Sequence, residues 1–391
     1  MLSTIGTVHL WIPNLFGFKG GIQVYSAYLL QALQALLPKA QFDIFLMHDQ
    51  PHVQPNLSHP NARFHFAGSF PKLVRSSLYA VQLIGHAIAQ QPDLIISTHL
   101  NFTPVARIVK QLTHIPYWTI AHGVEAWNIT RSHLQKGLQA ADRILPVSGY
   151  TKACLLKKQQ LRPEQLCTLP NTVDTQRFQI RPKPERLLSK YGLSVDQPVI
   201  LTVNRLCSTE VFKSYDQVLA ALPSIQKEIP RIRYIIVGKG DDHKRLAQLI
   251  QDRQLQESVT LAGFVPDKDL CDYYNLCDVF AMPGKLEGFG IVYLEALACG
   301  KPVLGGNQDG AIDALCEGKL GALVNPDDSR AIAQTLIQIL TRQYPHPLMY
   351  RPQALRQAAV DTYGFETFKE RLSFLLNEFA AGRYAKPRVY S

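Results

Sequence analysis

Residues 282–306 read MPGKLEGFGIVYLEALACGKPVLGG, and the reading of this stretch decides the fold. The apolar residues 278–282 have the length of a short buried strand, and 291–298 is rich in helix formers. The order is therefore strand, glycine-bracketed loop, helix. In open parallel sheets, ligands bind where strands end and helices begin, because free backbone N–H groups and the positive end of the helix dipole point there. Gly288 and Gly290 permit close backbone approach, and Glu287 and Glu295 stand eight positions apart. Taken singly, Glu287 fits a helix cap and Glu295 a solvated helix face. The loop between them makes a ligand site the sharper expectation.

Outward from this unit, strand-like and helix-like runs alternate along almost the whole chain, the pattern of parallel βα units covered on both faces. Strands are expected at 7–13, 42–48, 62–68, 93–99, 116–122 and 143–148, then at 198–206, 234–238, 259–265, 278–282 and 302–306. Between the two sets, residues 178–197 are rich in Pro, Lys and Arg with little apolar periodicity, and form the best linker candidate. No repeat of solenoid length and no low-complexity segment occurs.

The chain has 391 residues, 46% hydrophobic and 18% charged, enough for two domains with cores of their own. No apolar run reaches bilayer-spanning length. The opening MLSTIGTVHLWIP reads as a first strand rather than a signal peptide. The seven cysteines form no CxxC pair, which points to reduced thiols, mostly in the core, and to no zinc site. An excess of 41 basic over 31 acidic residues favours anionic partners: phosphorylated substrates or acidic lipid headgroups. Nucleic acid is not expected, since basic and aromatic residues are nowhere interleaved. Lys72 and Arg75 interrupt the apolar run 70–89, which reads as an amphipathic helix packing on a core or lying on a membrane surface.

Other loops carry chemistry. Gly17, Gly20 and Gly21 follow the first strand and precede a helix with apolar Ile22, Tyr25, Leu29, Leu33 and Leu36, so this is an anion loop or a plain turn; GxGxxG is absent. His122 ends the strand-like run 116–122, and Ser148 ends another. Arg205 closes 198–206, with Lys213 ahead of the next helical run; two cations at the mouth of a parallel sheet suit a diphosphate. Gly238 and Gly240 follow the next strand, and Val265 lies in the 263–266 turn.

Glu287, Gly288, Phe289, Gly290, Glu295, Gly300, Pro302 and Val303 resemble the signature of retaining glycosyltransferases of family 4, also called group 1, in the GT-B superfamily. The resemblance covers most of the chain, strongest over 199–325 and weaker before 120. It implies an α/β GT-B fold: two Rossmann-like parallel-sheet domains with an interdomain cleft. Residues 1–180 would form the acceptor-side domain, joined by a C-terminal helix at about 364–391, and 181–363 the nucleotide-sugar domain.

The same resemblance implies roles. Gly20 and Gly21 lie against the donor diphosphate; His122, with Gly123 and Glu125 in a His-Gly-x-Glu match, lies beside the transferred sugar; Arg205 and Lys213 neutralise the leaving diphosphate. Gly238 and Val265 meet the nucleobase, Glu287 and the amides of Gly288, Phe289 and Gly290 hold the sugar, and Glu295 takes the ribose hydroxyls. The chain departs from the pattern at Thr172 and Ser214, where Gly is usual, and at Asp309 and Asp313, in a segment where Gly-Gly and Glu are usual. Asp267-x-Asp269 resembles a metal motif of the other large glycosyltransferase fold, but it follows Pro266 and opens a helix, so capping is the expected role.

The implied activity is a retaining, metal-independent hexosyl transfer from a UDP-sugar or GDP-sugar to an acceptor hydroxyl, in cell-surface polysaccharide or glycolipid synthesis, with no cofactor. The expected partners are the nucleotide-sugar donor, a glycan or lipid-linked acceptor and an anionic membrane surface, with the protein cytoplasmic or peripheral at the inner membrane face. The alternatives are a sugar-nucleotide epimerase of the same fold and a nucleotide-sugar-binding regulatory protein without turnover.

Overall fold

Twelve strands form among the described residues, and every pairing between them is parallel. The computed structural model describes residues 2–17, 20–51, 61–210 and 215–384. Two compact units result: Met1–Thr172 with Phe365–Ser391, and Val173–Gly364.

In the first unit β1 (Thr7–Ile12), β2 (Gln41–Leu46), β3 (Ala62–Phe66), β4 (Leu94–Ser97), β5 (Tyr117–Ala121) and β6 (Arg143–Pro146) lie in the order β3-β2-β1-β4-β5-β6. In the second, β7 (Val199–Val203), β8 (Arg233–Val237), β9 (Val259–Gly263), β10 (Val279–Met282), β11 (Val303–Gly306) and β12 (Ala322–Val324) lie in the order β12-β11-β10-β7-β8-β9. Numbered within each unit, both orders are 3-2-1-4-5-6, the doubly wound arrangement. Chain direction reverses across the sheet between β1 and β4 and again between β7 and β10, the places where such folds bind ligands.

The central strands are apolar on both faces because helices cover both. β4, β5 and β10 are buried along their whole length. Trp11, Phe45, Tyr79, Leu83 and Ile95 anchor one core layer of the first unit. Tyr215, Leu219, Tyr234 and Leu336 do so in the second. The helix Phe365–Tyr384 belongs to the first unit, where Phe368 meets Tyr25 edge to face at 5.8 Å.

Eleven strands coincide with the runs expected from sequence; β12, three residues long at a sheet edge, was not anticipated. Residues 178–197 are not a linker. They lie in the second unit, with Phe178 and Leu187 buried, a helix at Glu185–Tyr191, and Lys183 paired with Asp278 at 2.7 Å. The seven thiols are free, but only Cys271, Cys277 and Cys299 are buried; the other four are half-buried.

Candidate functional site

β10 runs out at Met282, and the chain loops through Glu287 before the helix Ile291–Ala298. Gly290 is the N-cap, at φ +88°, a conformation that side chains resist. Neither glutamate caps the helix. Asp309 braces the loop from β11's side: its Oδ2 accepts from the Glu287 N–H at 2.8 Å and its Oδ1 from the Ala311 N–H at 3.0 Å, while the Gly310 N–H donates to the Glu287 carbonyl at 2.8 Å. This fixes the Glu287 backbone and leaves its side chain half-buried at the carboxyl edge of the sheet. Phe289 is sealed, 1% exposed, edge-on to Tyr363 at 5.3 Å. Its ring is therefore core, and only its backbone could meet a ligand.

Glu295 lies one helical turn on and faces inward, only 8% exposed, not on a solvated face. IVYLEALA is apolar all round but for this carboxylate, so packing on both sides traps it. Its Oε2 accepts from the Tyr274 hydroxyl at 2.6 Å. Burial raises its pKa to about 7, against the lowering effects of the Tyr274 bond and of Arg177. Tyr274 is fixed by rings, edge to face with Phe178 at 5.7 Å and tilted on Phe280 at 5.7 Å.

β7 is the neighbour of β10 and delivers Arg205, exposed, beyond its carboxyl end. Arg205 is near enough to Asp241 to help hold that carboxyl below its usual range, after the larger effect of Ser208. Gly238 has a structural reason for being glycine: at φ +152° a Cβ there would overlap the Asn204 carbonyl oxygen, and its N–H donates to the Gly263 carbonyl at 2.9 Å. Val265 is buried just after β9. Lys213 and Ser214 lie outside the described residues.

The Asp267-x-Asp269 pair does not cap. Pro266 is the N-cap, and the aspartates sit in the first turn, where Asp267 pairs with Arg177 at 3.5 Å and Asp269 with Arg186 at 3.2 Å. Two acids at a helix N-terminus satisfy its dipole. Among the described residues no group of three or more His, Cys, Asp or Glu is arranged to hold a metal ion.

In the first unit the helix Gly21–Leu36 opens at Gly20 with no side-chain cap, leaving N–H groups for an anion. A Cβ on Gly21 would meet nothing within 4 Å. Asp49, at the end of β2, holds the loop before it, accepting from the N–H groups of Leu15 at 2.5 Å and Gly17 at 2.7 Å. His122 follows β5, and its ring stands edge-on to Tyr25 of that helix at 5.2 Å. Its Nε2 is 2.9 Å from the Thr98 carbonyl oxygen, which can only accept, so Nε2 carries the proton and Nδ1 is an acceptor. Burial lowers the pKa to about 4, so the ring is neutral near pH 7. Glu125 accepts from the His122 N–H at 2.6 Å.

The structure thus gathers Glu287, Gly288, Gly290 and Glu295 at the edge of β10, Arg205, Gly238 and Val265 at the ends of β7 to β9, and Gly20, Gly21 and His122 at the first unit's reversal point. Sequence reading missed Tyr274 and Asp49; an acid directly after a strand was the signal available for Asp49.

The sequence model of the family described as glycosyl transferases group 1 matches residues 185–358, and that of glycosyltransferase family 4 matches residues 19–177. Over 279 residues the chain is 33% identical to a protein of Mycolicibacterium smegmatis named GDP-mannose-dependent alpha-(1-6)-phosphatidylinositol monomannoside mannosyltransferase, a match covering 68% of this chain and 70% of that one. The chain is a family 4 glycosyltransferase. The glycosyltransferase shares its fold with sucrose-phosphate synthase of Thermosynechococcus elongatus, at a TM-score of 0.79 and 20% identity over 96% of this chain and 100% of that one. It also shares it with HepE of Anabaena, solved with UDP-glucose, at a TM-score of 0.76 and 18% identity over 95% and 99%. The glycosyltransferase is accordingly an enzyme with the two parallel-sheet units of the GT-B fold.

Proposed function

We propose that this glycosyltransferase moves a hexose from a nucleoside-diphosphate sugar to an acceptor hydroxyl, with retention and without a metal, in the synthesis of a glycolipid or cell-surface glycan. The observation that carries the reading is the pair at the end of β10: Glu287 braced by Asp309 with its carboxylate half-buried, and Glu295 buried against Tyr274. Two carboxylates so differently housed are not an acid and base sharing one proton path; they are handles for two parts of one donor. Glu287 and the 288–290 amides accept and donate to the hexose, and Glu295 accepts from ribose hydroxyls through the oxygen Tyr274 leaves.

Arg205 and, by sequence resemblance alone, Lys213 neutralise the diphosphate as it departs, with fixed charges supplying the stabilisation. The Gly20 and Gly21 amides offer donors to an anionic substrate group, and His122 Nδ1 accepts from a substrate hydroxyl. The bond from the anomeric carbon to the diphosphate oxygen breaks, and the bond to the acceptor oxygen forms on the same face. The acceptor proton passes to the departing phosphate oxygen, so no protein base is required. The M. smegmatis relative favours GDP-mannose as donor and a mannosylated phospholipid as acceptor.

Thermal-shift measurement against GDP-mannose, UDP-glucose and ADP-glucose tests the donor. A ligand at 100 times its dissociation constant stabilises by about 2.7 kcal/mol. GDP-mannose is expected to raise the melting temperature most, and no shift with any sugar nucleotide would refute the reading.

A further inference from the structure

Two of the seven thiols meet. Cys271, on the helix Asp267–Leu276, and Cys299, at the C-cap of the helix Ile291–Ala298, stand with their sulfurs 3.9 Å apart, Cys271 being 2% exposed and Cys299 0%. The pair bridges the same two helices as the Tyr274–Glu295 bond and lies one turn from it on each, since Tyr274 is three residues after Cys271 and Cys299 four after Glu295. The Cys299 N–H donates to the Glu295 carbonyl at 3.1 Å, which ties its backbone to that of the glutamate.

The two sulfurs are chemically unlike. The Cys299 thiol donates to Cys271, whose pKa falls to about 6 through that bond first and through the charge of Arg181, against the effect of burial. Asn275 Nδ2 gives the same sulfur a second donor at 3.4 Å. Cys299 is pushed up by the same contact and by burial, and keeps its proton. A thiolate beside a thiol that can resolve it is the arrangement of a redox-responsive pair. Cys277, the third buried cysteine, is committed elsewhere: it donates to the Tyr274 carbonyl at 3.2 Å, and burial pushes its pKa up to about 12.

We propose that Cys271 and Cys299 form a redox-active dithiol, closed by a peroxide to a disulfide that draws the two helices together beside Tyr274 and Glu295 and weakens donor binding. The Cys271 thiolate attacks the peroxide O–O bond and keeps one oxygen as a sulfenic acid, while the other leaves as hydroxide and is protonated to water. The Cys299 sulfur then attacks the Cys271 sulfur, and its proton departs with the hydroxyl as a second water. Two thiols thereby lose two electrons and one hydrogen peroxide is reduced to two waters. An S–S bond of about 2 Å requires the sulfurs to close by about another 2 Å, and the 2.6 Å Tyr274–Glu295 bond one turn away moves with them. Loss of the Cys271 charge acts the other way, lowering the Glu295 pKa, but that charge is the least of the influences on it, so displacement governs. The effect on binding rests on the reading of Glu295 as a donor handle; the bond itself does not.

The full chain is treated with hydrogen peroxide, its remaining thiols are blocked with N-ethylmaleimide, and it is digested without reductant. Mass spectrometry should find the Cys271 peptide joined to the Cys299 peptide. Calorimetric titration with GDP-mannose and UDP-glucose should show the oxidised chain binding its donor about tenfold or more weakly, with recovery in dithiothreitol. Cys271→Ala and Cys299→Ala, tested separately so that one suffices if the other melts early, should bind the donor as the reduced parent does and ignore peroxide. Absence of the linked peptides would overturn the proposal, as would unchanged affinity in the linked chain or an equal loss in Cys271→Ala. A reduced parent that binds neither sugar nucleotide would refute the transfer reading and with it the effect on binding, while the bond still stands or falls on the peptide map.

Discussion

The Tyr274 hydroxyl donates to Glu295 Oε2 across 2.6 Å, joining the helix Asp267–Leu276 to the helix Ile291–Ala298 through a buried bond. Burial raises the Glu295 pKa to about 7, while this bond and Arg177 pull it down and Asp267 and Cys271 push it up. An ionised carboxylate is the better acceptor for ribose hydroxyls. Donor affinity should therefore strengthen as pH rises through about 7 and weaken roughly tenfold per pH unit below it. Tyr274→Phe removes a lowering influence, so calorimetric titration of the donor should find the midpoint moved to higher pH. An unmoved midpoint would show that another group controls binding.

The same group sets a stability trend. In the folded chain Glu295 holds its proton up to about 7, against 4.5 for an ordinary glutamate, so the folded state binds more protons between those values. Its contribution is present below pH 4.5 and is lost as pH rises to about 7, by at most about 3 kcal/mol. Urea melts of Glu295→Gln and the parent across that window should diverge by this amount, the variant being the flatter.

Asp309 should act on Glu287 without touching substrate. Asp309→Ala leaves the part-buried N–H of Glu287 and the buried N–H of Ala311 without this acceptor and should cost about 1–3 kcal/mol in stability as well as lowering turnover. Glu287→Gln should lower turnover with the melting temperature unchanged, which separates the brace from the handle.

Gly238→Ala tests whether that glycine serves the ligand or the chain. At φ +152°, with the Asn204 carbonyl in the way, the alanine should destabilise by about 3 kcal/mol in denaturant melts, with or without nucleotide. Full stability with lost donor binding would assign it to the site instead.

Strand positions were legible because runs such as VILTV and YIIV are apolar on both faces and bounded by turn residues; ALV at 322–324 was too short to show. The loop from Glu287 to Gly290 was legible for the same local reason. The partners that hold it were not, because Tyr274 with Glu295, Asp309 with Glu287, and Asp49 with the loop at 15–17 are pairings across the fold that no spacing encodes. Residues 178–197 misled because Arg181, Lys183 and Arg186 pair with acids elsewhere in the unit, Lys183 at 2.7 Å from Asp278, while Phe178 and Leu187 pack into its core.

The most direct measurement is GDP release from GDP-mannose, with a phosphatidylinositol mannoside as acceptor and EDTA present, run beside UDP-glucose as alternative donor. The account predicts turnover of one donor by the parent chain and a loss of roughly a hundredfold in both Arg205→Ala and Lys213→Ala at unchanged melting temperature. Tight donor binding with no diphosphate released, or full activity in both variants, would contradict it.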